Sequence, residues 1–118
     1  MAAQVSKSAR SGFWGEVPIS QGNLDNAHFY MRSFVDRFPA DLIGGSSKDN
    51  RAPRLAVVDW GGAAPVETDI DGEKQFFRSR GWVRDFFQQT GAVEGDFVRI
   101  EETAPYRYRV TLIKKGAP

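Results

Sequence analysis

Between Trp82 and Phe87 the apolar residues Trp82, Val83, Phe86 and Phe87 recur at the spacing that lines one broad helical face, and Gly91 stands where such a helix would end. Downstream the period shortens to two. After a Gly95–Asp96 turn, Phe97, Arg99 and Glu101 alternate with Val98, Ile100 and Glu102. After Pro105, Tyr106, Tyr108, Val110 and Leu112 alternate with Arg107, Arg109, Thr111 and Ile113. Such alternation turns every second side chain to one face, so both stretches are predicted strands.

The first half of the chain is less regular. The aromatic run AHFYMR at 27–32 suits a strand. Ser33 then offers an N-cap to Phe34, Val35 and Phe38, with Leu42 and Ile43 continuing the apolar face; Pro39 interrupts this helix and Gly44–Gly45 stops it. SSKDNRAP at 46–53 reads as a polar loop and RLAVVDW at 54–60 as a strand. Val66, Thr68 and Ile70 alternate with Glu67 and Asp69, the pattern of a half-buried strand, followed by an Asp71–Gly72 hairpin turn and a return strand at Gln75–Arg78. The predicted order is strand, helix, three strands, helix, two strands: an α+β fold, mostly β, of a kind that closes into a small barrel. Residues 1–24 are expected to be a flexible N-terminal arm, 25–114 the domain, and 115–118 a frayed tail. Within the arm, Phe13–Trp14 is expected either to dock back on the domain or to meet a partner.

Composition narrows the chemistry. A chain of 118 residues holds one domain and can bury roughly two-thirds of its unfolded surface, enough for a core without crosslinks. Cysteine is absent, which removes disulfides, thiolate metal sites and cysteine nucleophiles together and fits an intracellular location. No apolar run approaches the roughly 18 residues of a membrane span, and MAAQVSKSARSG lacks the apolar stretch of a secretory signal. His28 is the sole histidine and lies in an aromatic run, where a structural role is the expectation. No Walker-type loop, GxGxxG, HExxH or GxSxG occurs. GGSSK at 44–48 lacks the flanking spacing of a phosphate loop, and TDIDGE at 68–73 lacks the closing acid of a calcium loop. A metal-dependent nuclease using Asp69 and Asp71 ranks low for want of a D…(D/E)xK arrangement. No catalytic residue, metal or cofactor is expected.

Net charge is +1, which argues against an electrostatic grip by the whole body. The distribution is uneven, however. Asp59, Glu67, Asp69, Asp71 and Glu73 come without a base among them, and Lys74, Arg78, Arg80 and Arg84 follow without an acid until Asp85. Two basic, polar segments stand out: Arg32, Ser33 and Arg37 with Ser46, Ser47, Lys48, Asn50 and Arg51, and Lys74, Gln75, Arg78, Ser79 and Arg80. They read either as solvated faces or as donors to a nucleic acid, since Arg can grip guanine or phosphate with two parallel hydrogen bonds and Asn and Gln can read adenine.

The stretch FFRSRGWVRDFFQQTGAVEGDFVRIEE, with Gly81–Trp82 opening a helix, Phe86–Phe87 on its face and Gly95–Asp96 before Phe97, Val98 and Ile100, resembles the B3 DNA-binding domain. FYMR at 29–32, FPADLIGG at 38–45 and RLAVVDW at 54–60 fit that family's order, so the resemblance covers about residues 26–113. It implies a seven-stranded open pseudobarrel with two short helices. It implies a non-catalytic reader of double-stranded DNA, of the transcription-factor or restriction-modification type, freestanding or within a larger protein. Two arms would enter the major groove, the first carrying Arg32, Ser33 and Arg37 and the second Lys74, Gln75, Arg78 and Arg80. Ser46, Lys48, Asn50 and Arg51 would support a backbone contact. Replacing Arg78 or Arg80 is then expected to weaken binding and leave stability nearly unchanged. Glu67, Asp69 and Asp71 must turn away from the phosphates for this to work. The alternative is a protein- or small-ligand-binding barrel whose likeness is architectural alone.

Overall fold

Two antiparallel strands, β7 (Phe97–Ala104) and β8 (Arg107–Ile113), form the longest ladder, running from the Phe97–Ile113 pair to the Ala104–Arg107 pair. The alternation predicts this ladder well: Val98, Ile100, Tyr108 and Val110 are buried, while Arg107 and Arg109 are exposed. The structure, a computed structural model, describes residues 14–116. Against β7 lies β1 (Trp14–Pro18), antiparallel, and against β8 lies β3 (Ala56–Asp59), parallel; β4 (Val66–Thr68) completes a mixed five-stranded sheet in the order β1-β7-β8-β3-β4. A second sheet has three strands of two residues each: β2 (Ile43–Gly44) parallel to β5 (Ile70–Asp71), and β6 (Phe76–Phe77) antiparallel to it. The fold is α+β and mostly β, as expected. Neither sheet closes on itself, and eight strands are described, not seven.

The two helices are α1 (Gln21–Asn26) and α2 (Gly81–Thr90). In α2 the stripe Trp82, Val83, Phe86 and Phe87 is buried and Arg84, Asp85, Gln88 and Gln89 are exposed. Burial of each such apolar side chain stabilises the fold by about 1.5–3 kcal/mol. Gly91, at φ +69°, ends the helix in the left-handed conformation that glycine adopts without strain. Side chains from both sheets and α2 meet in one core, with edge-to-face contacts such as Phe29 on Trp82 and Phe38 on Tyr108.

Four expectations need correction. Residues 14–24 are not a flexible arm: β1 pairs along β7, and Ser20 and Asn23 close a reciprocal capping box at the start of α1. Phe13 lies outside the described residues, and only the backbone of Trp14 is described, at the head of β1. The run 27–32 forms no strand ladder; its pattern survives as buried Phe29 and Met31 alternating with half-buried or exposed His28, Tyr30 and Arg32. The helix expected from Ser33 becomes two short 3-10 turns, Val35–Arg37 and Ala40–Leu42, because proline disfavours helical backbone in the preceding Phe38, which is extended at ψ 150°. At the far end, Lys115 is not frayed: its N–H donates to buried Asp96, as does Lys114 Nζ, and only 117–118 lie outside the described residues.

Candidate nucleic-acid interface

The second basic segment begins at a buried acid. Asp71 is 4% exposed, and its Oδ1 accepts the N–H groups of Glu73 and Lys74, so the chain turns sharply around the carboxylate. Gln75 follows at φ +65°, its N–H donating to the Asp71 carbonyl. The connection is therefore a four-residue turn, wider than the two-residue turn its Asp-Gly suggests. Lys74 emerges exposed at its tip.

The first segment meets it directly. Met31 N–H donates to the Gln75 carbonyl at 2.7 Å, and beside this bond the Tyr30 ring stacks on Phe76, centroids 5.6 Å apart and planes at 18°. Arg32 Cζ sits 4.1 Å from the Tyr30 centroid and Arg80 Cζ 4.3 Å from the Phe76 centroid. His28 packs against both rings, and burial followed by the Arg80 charge lowers its pKa, which favours the neutral imidazole. Arg32, Gln75 and Arg80 are thus brought to one place. Ser33 and Arg37 are exposed farther along, around the first 3-10 turn.

A groove of about 500 Å³ adjoins this cluster and gathers Ser46, Lys48, Arg51, Lys74, Arg78 and Arg80, with Leu55 and Phe76 in its wall. Asn50 is not in the lining. Its carbonyl accepts Gly45 N–H and its N–H reaches the Ser47 carbonyl, closing the loop tightly. A Cβ on Gly44 would stand 2.5 Å from the Asn50 oxygen and 2.6 Å from Ala52 N, so only glycine fits there.

Arg78 is the main revision to the site. Its Nε and Nη2 clamp the two oxygens of Asp69 at 2.7 and 2.9 Å, Nη2 also donates to the Gly45 carbonyl, and Nη1 to the Ser47 carbonyl. Asp69 in turn accepts Ala52 N–H at 2.7 Å. At 2% exposure, burial opposes ionisation of Asp69, but the bonds from Arg78 and Ala52 outweigh it and hold the carboxyl below its usual range. Arg78 therefore fastens the 45–52 loop to the small sheet. The expectation that it could be replaced without loss of stability is corrected: its fork is engaged inside the protein. The sequence misses this because strand alternation puts Asp69 on the outer face, whereas the chain leaves the large sheet at Thr68, joins the small one at Ile70 and tucks Asp69 between them.

Two of the three acids turn away as required, and Glu67 does not. Asp69 and Asp71 face inward, and of the acids lining the groove Glu67 alone is exposed, against exposed Lys48, Arg51, Lys74 and Arg80. The same bonds occupy both aspartates of the nuclease reading, and among the described residues no three histidines or acids come together as metal ligands. No described helix is long and apolar enough to cross a membrane. Tyr30 and Phe76 are the site residues that sequence reasoning missed; the period-two placement of His28, Tyr30 and Arg32 on one face was the available signal. A second groove, about 440 Å³, runs beside the end of α2 and is lined in part by Trp60, Gln89, Arg109, Leu112 and Lys114. No protein-family model matches the chain, and no curated protein sequence matches it.

Proposed function

We propose that this chain is a non-catalytic, sequence-selective binder of double-stranded DNA, a B3-type open pseudobarrel acting inside the cell in transcription or restriction-modification. The observation that carries the reading is the junction of the two basic segments at the Met31–Gln75 hydrogen bond, with the neighbouring acids Asp69 and Asp71 turned inward. Arg32, Gln75 and Arg80 would reach base edges, while Lys48, Arg51 and Lys74, with Ser46, would hold phosphates and set orientation. Ser33 and Arg37 would flank the first arm. Arg78 and Asn50 would act through the shape of the loop they close. Binding to a randomised duplex pool at two salt concentrations tests this. A short enriched motif, weakened by salt and by Arg80→Ala, is expected. No retention even at low salt sinks the reading.

The second groove and the net charge of +1 favour one other reading, a protein- or small-ligand-binding module. A partner captured in high salt after nuclease treatment, and lost on Trp60→Ala, would support it over DNA.

A further inference from the structure

Two arginines of the candidate interface are joined by a ladder of rings. Arg32 lies on Tyr30, Tyr30 stacks on Phe76, and Arg80 lies on Phe76. The rungs are anchored from beneath. Phe76 is 6% exposed and sits in β6 opposite Asp71, while Tyr30 is flanked by buried Phe29 and Met31 and tied to the hairpin through the Met31–Gln75 bond. Each ring attracts a guanidinium through its quadrupole and limits its rotamers before any partner arrives. Both arginines are nevertheless exposed.

Fixing the distance between two arginines has little value for phosphate attraction, because phosphates recur all along a duplex. It has value for reading base edges. Guanine presents O6 and N7 to an arginine fork, and two forks held at a set separation select two guanines at a set spacing. Laid end to end, the three distances of 4.1, 5.6 and 4.3 Å bound the separation of the guanidinium carbons at about 14 Å. Base pairs stack every ~3.4 Å, so the two forks span at most about four steps of the duplex.

We infer that Tyr30 and Phe76 are positioning residues that hold Arg32 and Arg80 as paired guanine readers, so that the recognised motif carries two guanines within about five base pairs. The inference rests on the duplex-DNA reading above and deepens it.

The experiment repeats selection from a randomised duplex pool with the full chain and with Arg32→Lys, Arg80→Lys and Tyr30→Leu, each checked by thermal melting. The wild-type motif is expected to contain the two guanines in that window. Each lysine variant should lose discrimination at one guanine, a different one for each, by about 5-fold or more, since a lysine ammonium is a mobile point charge without the rigid planar fork that the ring holds in place. Tyr30→Leu should keep its affinity for random duplex and its melting temperature, yet relax the preference at the Arg32 guanine. A motif without two guanines in the window overturns the inference and leaves DNA binding standing. So does a Tyr30→Leu variant that folds and selects an unchanged motif. Should Tyr30→Leu unfold, the two lysine variants decide: loss at the same guanine, or at neither, overturns the pairing. Absence of any retained duplex overturns the DNA reading and this inference together.

Discussion

The two sheets share one apolar core but are ordered in different ways. In the large one, β7 and β8 carry a ladder of seven register pairs, and their inward side chains enter the same apolar core as α2. In the small one, each pairing has two register pairs, too few to fix its own geometry, and the missing order comes from polar groups: Arg78 across Asp69, Ala52 N–H on Asp69, and the turn wound on Asp71. Hydrophobic burial is tolerant of direction, whereas a bidentate ion pair is not. The region proposed to meet DNA is thus the one whose shape leans most on charge geometry, and it is mounted on one whose order comes chiefly from a long ladder.

Breaking the large sheet's side should cost most. Phe86, 1% exposed, contacts Trp82 and Phe87 at the centre of the helix stripe, and Phe86→Ala is expected to remove about 3–5 kcal/mol in denaturant unfolding. All parts of the molecule should lose amide protection together. Arg78→Ala comes next, at about 3 kcal/mol, because it strands a buried carboxylate. Hydrogen exchange should then show Gly45 and Ala52 opening while β7 and β8 stay protected. Uniform loss of protection would show instead that the small sheet is no separate unit. Adding Asp69→Leu to Arg78→Met should recover much of that stability, since the charge and its partner leave together.

Acid acts on both regions, and more gently. Hydrogen bonds from Lys114 and from the N–H groups of Lys115 and Val93 hold the Asp96 carboxyl down at about 2, from an ordinary 3.8. Its folded value lies below its unfolded one, so its contribution is complete above about pH 4 and is lost as pH falls towards 2. Asp69 is shifted in the same direction. Stability measured across this range should decline on acidification, and Asp96→Asn should be flatter there than wild type. The smallest effect is expected at Lys74→Ala: stability within about 0.5 kcal/mol, and a salt dependence of duplex binding shallower by about one contact. A large stability loss at Lys74 would blur the division between the frame and its exposed charges.

Legibility followed the same division. Elements whose partners lie nearby, such as α2 with its Gly91 stop and the β7–β8 hairpin, announce themselves through period alone. Elements made by distant partners do not. Glu16 lies opposite Arg99, 83 residues on, and bonds it at 2.7 and 2.9 Å, so nothing local in a Ser- and Gly-rich segment marks β1 as a strand. Asp69 likewise takes its burial from Arg78 and Ala52, outside its own alternating pattern. At the candidate site the basic residue types were visible in the chain. Which of them were already engaged was not: Arg78 and Arg80 stand two positions apart, yet one is locked inside and the other stands on Phe76 in solvent.

The order β1-β7-β8-β3-β4 has a bearing on how the chain is made. Its middle strands β7 and β8 are the last of the described strands to be synthesised, so β1 leaves the ribosome with no neighbour to pair with and β3 has β4 alone, and both wait for the C-terminal hairpin to complete the sheet. Assembly is expected to run outward from the C-terminal hairpin, whose contacts are local, to docking steps that must close long loops. A nascent chain interrupted before Phe97 would hold most of the core's aromatic residues and no central ladder to cover them. Poor yield from C-terminal truncations, and chaperone dependence during synthesis, are the outcomes expected from this topology.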